Sequence, residues 1–277
     1  MKFLEGLAED IKINLLEQLR VLWTHTSTAI EGNTLTLGET AFVLNEGLTV
    51  SGKPLKDHKD VEGHARAVDF MYELVRKDRI GASDLFALHR LIVAETVFDV
   101  YKPIGDWKGE NNSASITLDD RQEIIEYSNY WEVPQLMERW LDLLNAEIKP
   151  PKAAQDVVKS FAGLHISFVS IHPFWDGNGR MARLVSNLPC LKEGYPPIII
   201  DKEKRYDYIR ALAAYQLAHG VPSRSTEIIH EDELFDRFCS FCDGAWQKSM
   251  RLVEQAHALQ RSRDRRIKRE LDGAGPS

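Results

Sequence analysis

GLHISFVSIHPFWDGNGRMARLVSNL, residues 163–188, joins two helical stretches through a short loop rich in glycine and charge. Upstream of the loop, Val157, Val158, Phe161, Leu164, Phe168 and Ile171 recur near one face, which predicts a buried helix over residues 153–171. Pro173 cannot continue that helix, so His172 falls at its C-terminal end. A helix C-terminus raises a histidine's pKa and burial lowers it; the sequence leaves both open. Gly177-Asn178-Gly179 permits a tight turn whose successive N–H groups face one concavity. The next helix adds its unpaired donors and the positive end of its dipole, so the turn reads as an anion site suited to phosphate. Arg180 and Arg183 lie three apart on the first turns of that helix, both able to reach back to the anion. Asp176 beside a phosphate cradle is repulsive unless a cation lies between them. That points to Mg²⁺, which is commonly held by one carboxylate plus substrate phosphates.

The bland reading of this loop is a tight helix–helix turn with an ion-paired surface. Gly-Asn-Gly alone would favour it, but the whole constellation within twelve residues weighs against it. The glycine spacing matches neither a P-loop nor a dinucleotide-binding fingerprint. His165, seven residues before His172 on roughly the same face, reads as a core histidine rather than a second metal ligand.

The other 250 or so residues suit an ordinary globular chain: of 277 residues, 43% are hydrophobic and 28% charged. A net charge of −7 argues against nonspecific nucleic-acid binding, which depends on neutralising phosphates. No apolar run approaches the ~20 residues of a membrane span. The N-terminus, MKFLEGLAEDIK, carries acids early and has no apolar h-region, so the protein is expected in the cytoplasm. Cys239 and Cys242 form a C-x-x-C pair, but with Phe235, Phe238 and Trp246 they recur at helical spacing and read as a core stripe.

Helical patterns cover residues 13–23, 61–75, 131–144, 179–191, 205–218 and 232–253, with a further helix capped by Ser83. Residues 101–120, YKPIGDWKGENNSASITLDD, break the pattern and suit a loop or small hairpin. Pro196-Pro197 and the three isoleucines after them suit a short extended piece. The basic end, RSRDRRIKRELDGAGPS, reads as a helix end fraying into a disordered tail. In TSTAIEGN, residues 26–33, Gly32-Asn33 reads as a helix C-cap and Thr28-x-x-Glu31 as a capping box.

HPFWDGNGRMAR, residues 172–183, resembles the signature of the Fic family, His-Pro-Phe-x-Asp/Glu-Gly-Asn-Gly-Arg-x-x-Arg, at every defining position. GKPLKDHKDVEGHARAV, LFALHRLIV, IGDWKGENN and GYPPIIIDKEKRYDYIRAL resemble the helices, flap strand and following segment of that family. The resemblance covers roughly residues 20–220. It implies an all-α Fic fold, a helical bundle with one short β-hairpin flap beside the active site. It divides the chain into N-terminal helices with an inhibitory helix (1–55), a Fic core (56–222) and a C-terminal helix with a basic tail (223–277).

The implied activity is that of a protein adenylyltransferase, moving AMP from ATP to a Ser, Thr or Tyr hydroxyl of a target protein. By resemblance, His172 is the general base and Asp176 holds Mg²⁺, with Mn²⁺ as a substitute. Gly177, Asn178 and Gly179 cradle the phosphates, while Arg180 and Arg183 bind the rest, Arg183 at the γ-phosphate. TSTAIEGN also resembles the family's inhibitory motif, here Ser27 to Gly32, whose Glu31 would pair with Arg183 and seat ATP unproductively. Tyr208 and Gln216 sit where the family places adenine contacts, though Gln216 replaces the usual Asn. Trp107, Asn111, Asn112 and Ser113 would meet the target at the flap, docked as an added strand. Alternatives are a de-AMPylating phosphodiesterase that uses Glu31 to position water, and an ATP-binding regulatory module with negligible turnover. The expected partners are ATP, an unidentified target, the protein itself by auto-AMPylation, and a second copy in a homodimer, with no nucleic acid or membrane.

Overall fold

The structure, a computed structural model, describes residues 1–93, 102–118, 121–149 and 152–273. Helix α6 (Ala154–Ile171) is the central element, and residues 160–171 are buried on every side. Around it pack α5 (Val133–Glu147), α7 (Asn178–Val185), α8 (Leu188–Lys192) and the long α10 (Glu233–Gly273). A helix apolar all round belongs in a core, and Phe161, Phe168 and Ile166 on α6 meet Trp140, Phe174, Phe235 and Phe238 there. Each such side chain contributes roughly 1.5–3 kcal/mol by leaving water. Trp140 keeps its indole N–H satisfied by donating to the Leu164 carbonyl at 3.1 Å.

Helix α1 (Glu9–Ile30) lies across α2 (Leu37–Glu46), α3 (Leu55–Leu74) and α10, and its C-terminal end reaches α7. Helix α4 (Ala82–Ile92) packs on α3 and α7, and α9 (Arg205–His219) packs on α10. The expected all-helical architecture with one hairpin is what the chain forms. Strands β1 (Ser113–Leu118) and β2 (Arg121–Glu126) pair antiparallel, with Ser113 opposite Glu126 and Leu118 opposite Arg121. A lone two-stranded ribbon is marginal in water; buried Ile125 ties this one to the body. Among the described residues no helix is long and apolar enough to cross a membrane.

Several local expectations are corrected. The single helix expected over 179–191 is two, because Pro189 fits only the first turn of a new helix. In the gap, the Asn187 side chain donates to the Ile198 carbonyl (3.0 Å) and accepts from its N–H (2.7 Å). Those bonds hold the three-isoleucine segment extended without a strand partner. Gly81, not Ser83, caps α4, its N–H donating to the Asp84 carboxylate at 3.0 Å. Thr28 lies inside α1 rather than at an N-cap; the true capping box is Thr36 with Glu39. The basic tail is helical as far as Gly273. Gln260 accepts the Ala8 N–H at 2.7 Å and Arg263 clasps Asp10, so α10 caps and pairs with the start of α1.

Candidate active site

His172 closes α6 in the left-handed conformation, φ 55°, the only non-glycine with positive φ among the described residues. Glycine usually takes that position, and a side chain there costs on the order of 1–3 kcal/mol. The His172 imidazole is half-buried and lies flat on Tyr127, ring centroids 3.6 Å apart and planes 10° from parallel. Burial, helped by the Lys108 ammonium, lowers its pKa to about 3. That resolves the question left open by the sequence: burial outweighs the helix end.

The loop after His172 is held from within. Asn178 accepts the Phe174 N–H at 2.9 Å and donates to the Phe174 carbonyl at 2.7 Å. Its side chain is therefore spent on shaping the loop, leaving the backbone to offer donors. His89, stacked on Phe174 at 4.0 Å, accepts the Gly105 N–H at Nδ1 and donates Nε2–H to the Asp176 carbonyl at 3.0 Å. Burial lowers the His89 pKa to about 4, which keeps the neutral tautomer these two bonds require. Gly177, at φ 77°, starts α7; a Cβ there would press on Ile92 and Val93 at 3.2 Å. Asn178→Ala, which strips both buried Phe174 backbone groups of their partner, is expected to cost roughly 1–3 kcal/mol, read as a lowered Tm.

The two signature arginines hold different protein partners. Arg180 donates to the Ile92 carbonyl at 2.9 Å and lies 3.4 Å from both Asp60 and Asp176. Arg183, 3% exposed, donates Nε–H to Ser27 Oγ (3.0 Å), and Nη2–H to the Ser27 carbonyl (2.9 Å) and Glu31 Oε1 (2.6 Å). Glu31 is the residue that ends α1. A Cβ on Gly179 would lie 2.6 Å from Glu31 Oε1, so the carboxylate rests against the first turn of α7, where the anion cradle was expected. Arg205 fixes this end of α1 by donating to the Ile30 carbonyl at 2.7 Å. Thr26 and Thr28 are buried beside Ser27, their hydroxyls bonded back to Leu22 and Thr24 carbonyls at 2.9 Å.

Asp176 projects from the loop with 62% of its side chain exposed. No cluster of three His, Cys, Asp or Glu able to hold a metal occurs among the described residues. Asp176 offers one exposed carboxylate, the single protein ligand that a divalent ion arriving with substrate phosphates would need.

Tyr208 is 1% exposed; its hydroxyl meets His165 Nε2 at 2.8 Å and accepts from Arg183 at 3.4 Å. The ring supports Arg183 from behind and presents no open face. His165 is fully buried, a core histidine as expected. Gln216 donates to the Val169 carbonyl at 3.3 Å. Of the flap residues only Ser113 lies on a strand. Trp107 packs on Phe86 and Phe174, Asn112 donates to the Phe174 and Trp175 carbonyls (3.4 and 3.3 Å), and Asn111 bonds Asn129 and Tyr130. They fasten the hairpin root to the signature loop. Asp60, His89, Tyr127, Lys108 and Arg205 escaped the sequence reading, since each meets the site only through tertiary packing.

Residues 79–190 match the Fic/DOC family. Protein adenylyltransferase fic-1 of Caenorhabditis briggsae is 30% identical over 227 residues, 81% of this chain and 42% of that protein. Protein adenylyltransferase Fic of Drosophila willistoni is 32% identical over 187 residues, 67% of this chain and 35% of that protein. This chain therefore spans less than half the length of either relative. A Fic domain containing signaling protein from Bacteroides thetaiotaomicron shares the fold, with a TM-score of 0.76 over 92% of this chain and 94% of that one at 24% identity. With the signature residues 172–183 inside the matched segment, the chain belongs to the Fic/DOC family.

Proposed function

We propose that this chain is a protein adenylyltransferase, transferring AMP from ATP to a hydroxyl of a target protein, and that Glu31 restrains it through Arg183. One observation carries the reading: a carboxylate occupies Arg183 and the start of α7, the place and partners of a phosphate. The fic-1 and Fic relatives carry the name of that activity.

In the proposed reaction, the target oxygen bonds to the α-phosphorus, the bond to the pyrophosphate oxygen breaks, and the hydroxyl proton passes to His172. The Nδ1 edge of His172 faces the Val169 carbonyl, so the Nδ1–H tautomer leaves Nε2 as the acceptor. Backbone N–H groups from Gly177 to Gly179 oppose the phosphate charge at the helix N-terminus. Asp176 would hold Mg²⁺, or Mn²⁺, brought in with ATP; when bound, the ion neutralises phosphate charge. Arg183 serves the γ-phosphate only when Glu31 releases it. Self-modification is the first product to look for, since it needs no second protein.

The test is incorporation of label from α-labelled ATP with Mg²⁺ by wild type, Glu31→Gly and Glu31→Gly/His172→Ala. Labelling confined to Glu31→Gly supports the reading. Equal labelling of wild type and Glu31→Gly removes the inhibitory role. No labelling of any variant, with AMP removed from a modified target by wild type alone, replaces transfer with its reverse.

A smaller effect should follow from the helix anchor. Arg205→Ala frees the Ile30 carbonyl and loosens the end of α1. Losing one such charge-assisted bond is expected to raise basal transfer roughly 2- to 10-fold, measured in the same assay.

A further inference from the structure

The His172 ring has little polar support. Among the described residues its one polar contact is Nδ1 to the Val169 carbonyl at 3.4 Å, long for an N–H···O bond. The last side-chain torsion of histidine is broad, so that contact leaves the ring plane loosely set. Tyr127, the residue after β2, supplies the missing constraint by covering one imidazole face at 3.6 Å.

Tyr127 is itself fixed on both sides in sequence. Ile125 is buried, and Ser128 donates to the Pro222 carbonyl at 2.7 Å. The Lys108 ammonium lies 5.9 Å from the Tyr127 ring centroid, within cation–π reach, and donates to Asn112 at 2.7 Å. Lys108 has no carboxylate partner among the described residues. Its N–H donates to the Pro173 carbonyl at 2.9 Å, one residue past His172. The hairpin root therefore grips the signature loop by hydrogen bonds and the imidazole by stacking.

We infer that Tyr127 is a positioning residue for His172: its ring sets the imidazole plane and joins the hairpin to the proton acceptor. The inference rests on the reading of His172 as the base. A π-face against the ring also favours the imidazolium that forms as the proton arrives. The hydroxyl of Tyr127 is not needed for either effect, so phenylalanine should serve.

The experiment uses the full chain in the Glu31→Gly background. Tyr127→Ala is expected to lower kcat about 10- to 100-fold, the size of effect that misplacement of a reacting group produces. The KM for ATP should stay within about twofold, because a residue that acts through His172 changes the chemical step rather than nucleotide binding. Tyr127→Phe should restore kcat, and Tyr127→Leu, which fills the space without stacking, should not. If the alanine variant fails to fold, the Phe and Leu pair decides. In the NMR spectrum, the His172 ring protons should show an upfield ring-current shift that Tyr127→Phe keeps and Tyr127→Leu loses. Full activity in Tyr127→Leu, or no ring-current shift in the parent, overturns the inference alone. No transfer by the Glu31→Gly parent overturns the catalytic reading and this inference with it.

Discussion

Replacing Glu31 with glycine is expected to raise AMP incorporation by roughly 10- to 100-fold, the equivalent of about 1.5–3 kcal/mol for hydrogen bonds to a charged group. The size follows from the asymmetry of the pair. Arg183 is 3% exposed, while 44% of the Glu31 side chain meets solvent. Water screens part of the attraction from the Glu31 side, which caps the gain. The buried arginine, by contrast, loses its one carboxylate partner among the described residues when Glu31 is gone. It keeps its two bonds to Ser27 and offers the vacated N–H to the next anion available. ATP should therefore stabilise Glu31→Gly against heat more than it stabilises wild type, since a ligand that binds the folded form raises Tm. Glu31→Gln, which keeps an acceptor but removes the charge, should fall between the two. Initial rates and ATP-dependent Tm shifts on the three proteins check this. A Glu31→Gln variant as active as Glu31→Gly would show that charge alone restrains the site. Identical rates for all three would mean that Arg183 is free to serve ATP in wild type.

The parts of the site that the sequence made legible are those written in consecutive residues. Pro173 stops α6, Gly177 takes the positive φ, and the next helix supplies donors, so the loop could be read from local backbone rules alone. Glu31 was legible through its motif, although its partner lies 152 residues away. What stayed hidden depends on packing. Nothing in the local sequence marks Tyr127 as the neighbour of His172, or Asp60 as a partner of Arg180. Asn178 was legible as part of a backbone cradle, but not the task of its side chain, which satisfies both backbone groups of Phe174. The resemblance puts Tyr208 among the adenine contacts; in the fold it lies among His165, Phe241 and Arg183 and supports the arginine. The tail misled for a related reason. Its charge suggested solvation, but i,i+4 pairing of Arg266 with Glu270 and the clasp of Arg263 on Asp10 favour a helix.

In the Glu31→Gly background, His172→Ala is expected to lower transfer by about 10²- to 10⁴-fold, the range that a positioned general base contributes. The pH dependence is the sharper part of the prediction. Burial places the His172 pKa near 3 in the free protein, below the ordinary 6.5. A lowered pKa means the neutral, proton-accepting form persists as pH falls through 6.5 and is lost only in acid. The kcat/KM profile, which reports the free enzyme, should thus be flat from about pH 5 to 8. Phosphoryl transfer through a loose transition state depends more on placement and charge than on base strength. Bound ATP changes the balance. Its phosphates bring negative charge towards the imidazole and favour the protonated form. The kcat profile, which reports the bound enzyme, should then bend at a higher pH than kcat/KM. A common bend near 6.5 in both profiles would mean that the imidazole is solvated and unstacked. A residual rate in His172→Ala equal to that of its parent would show that the proton leaves without His172.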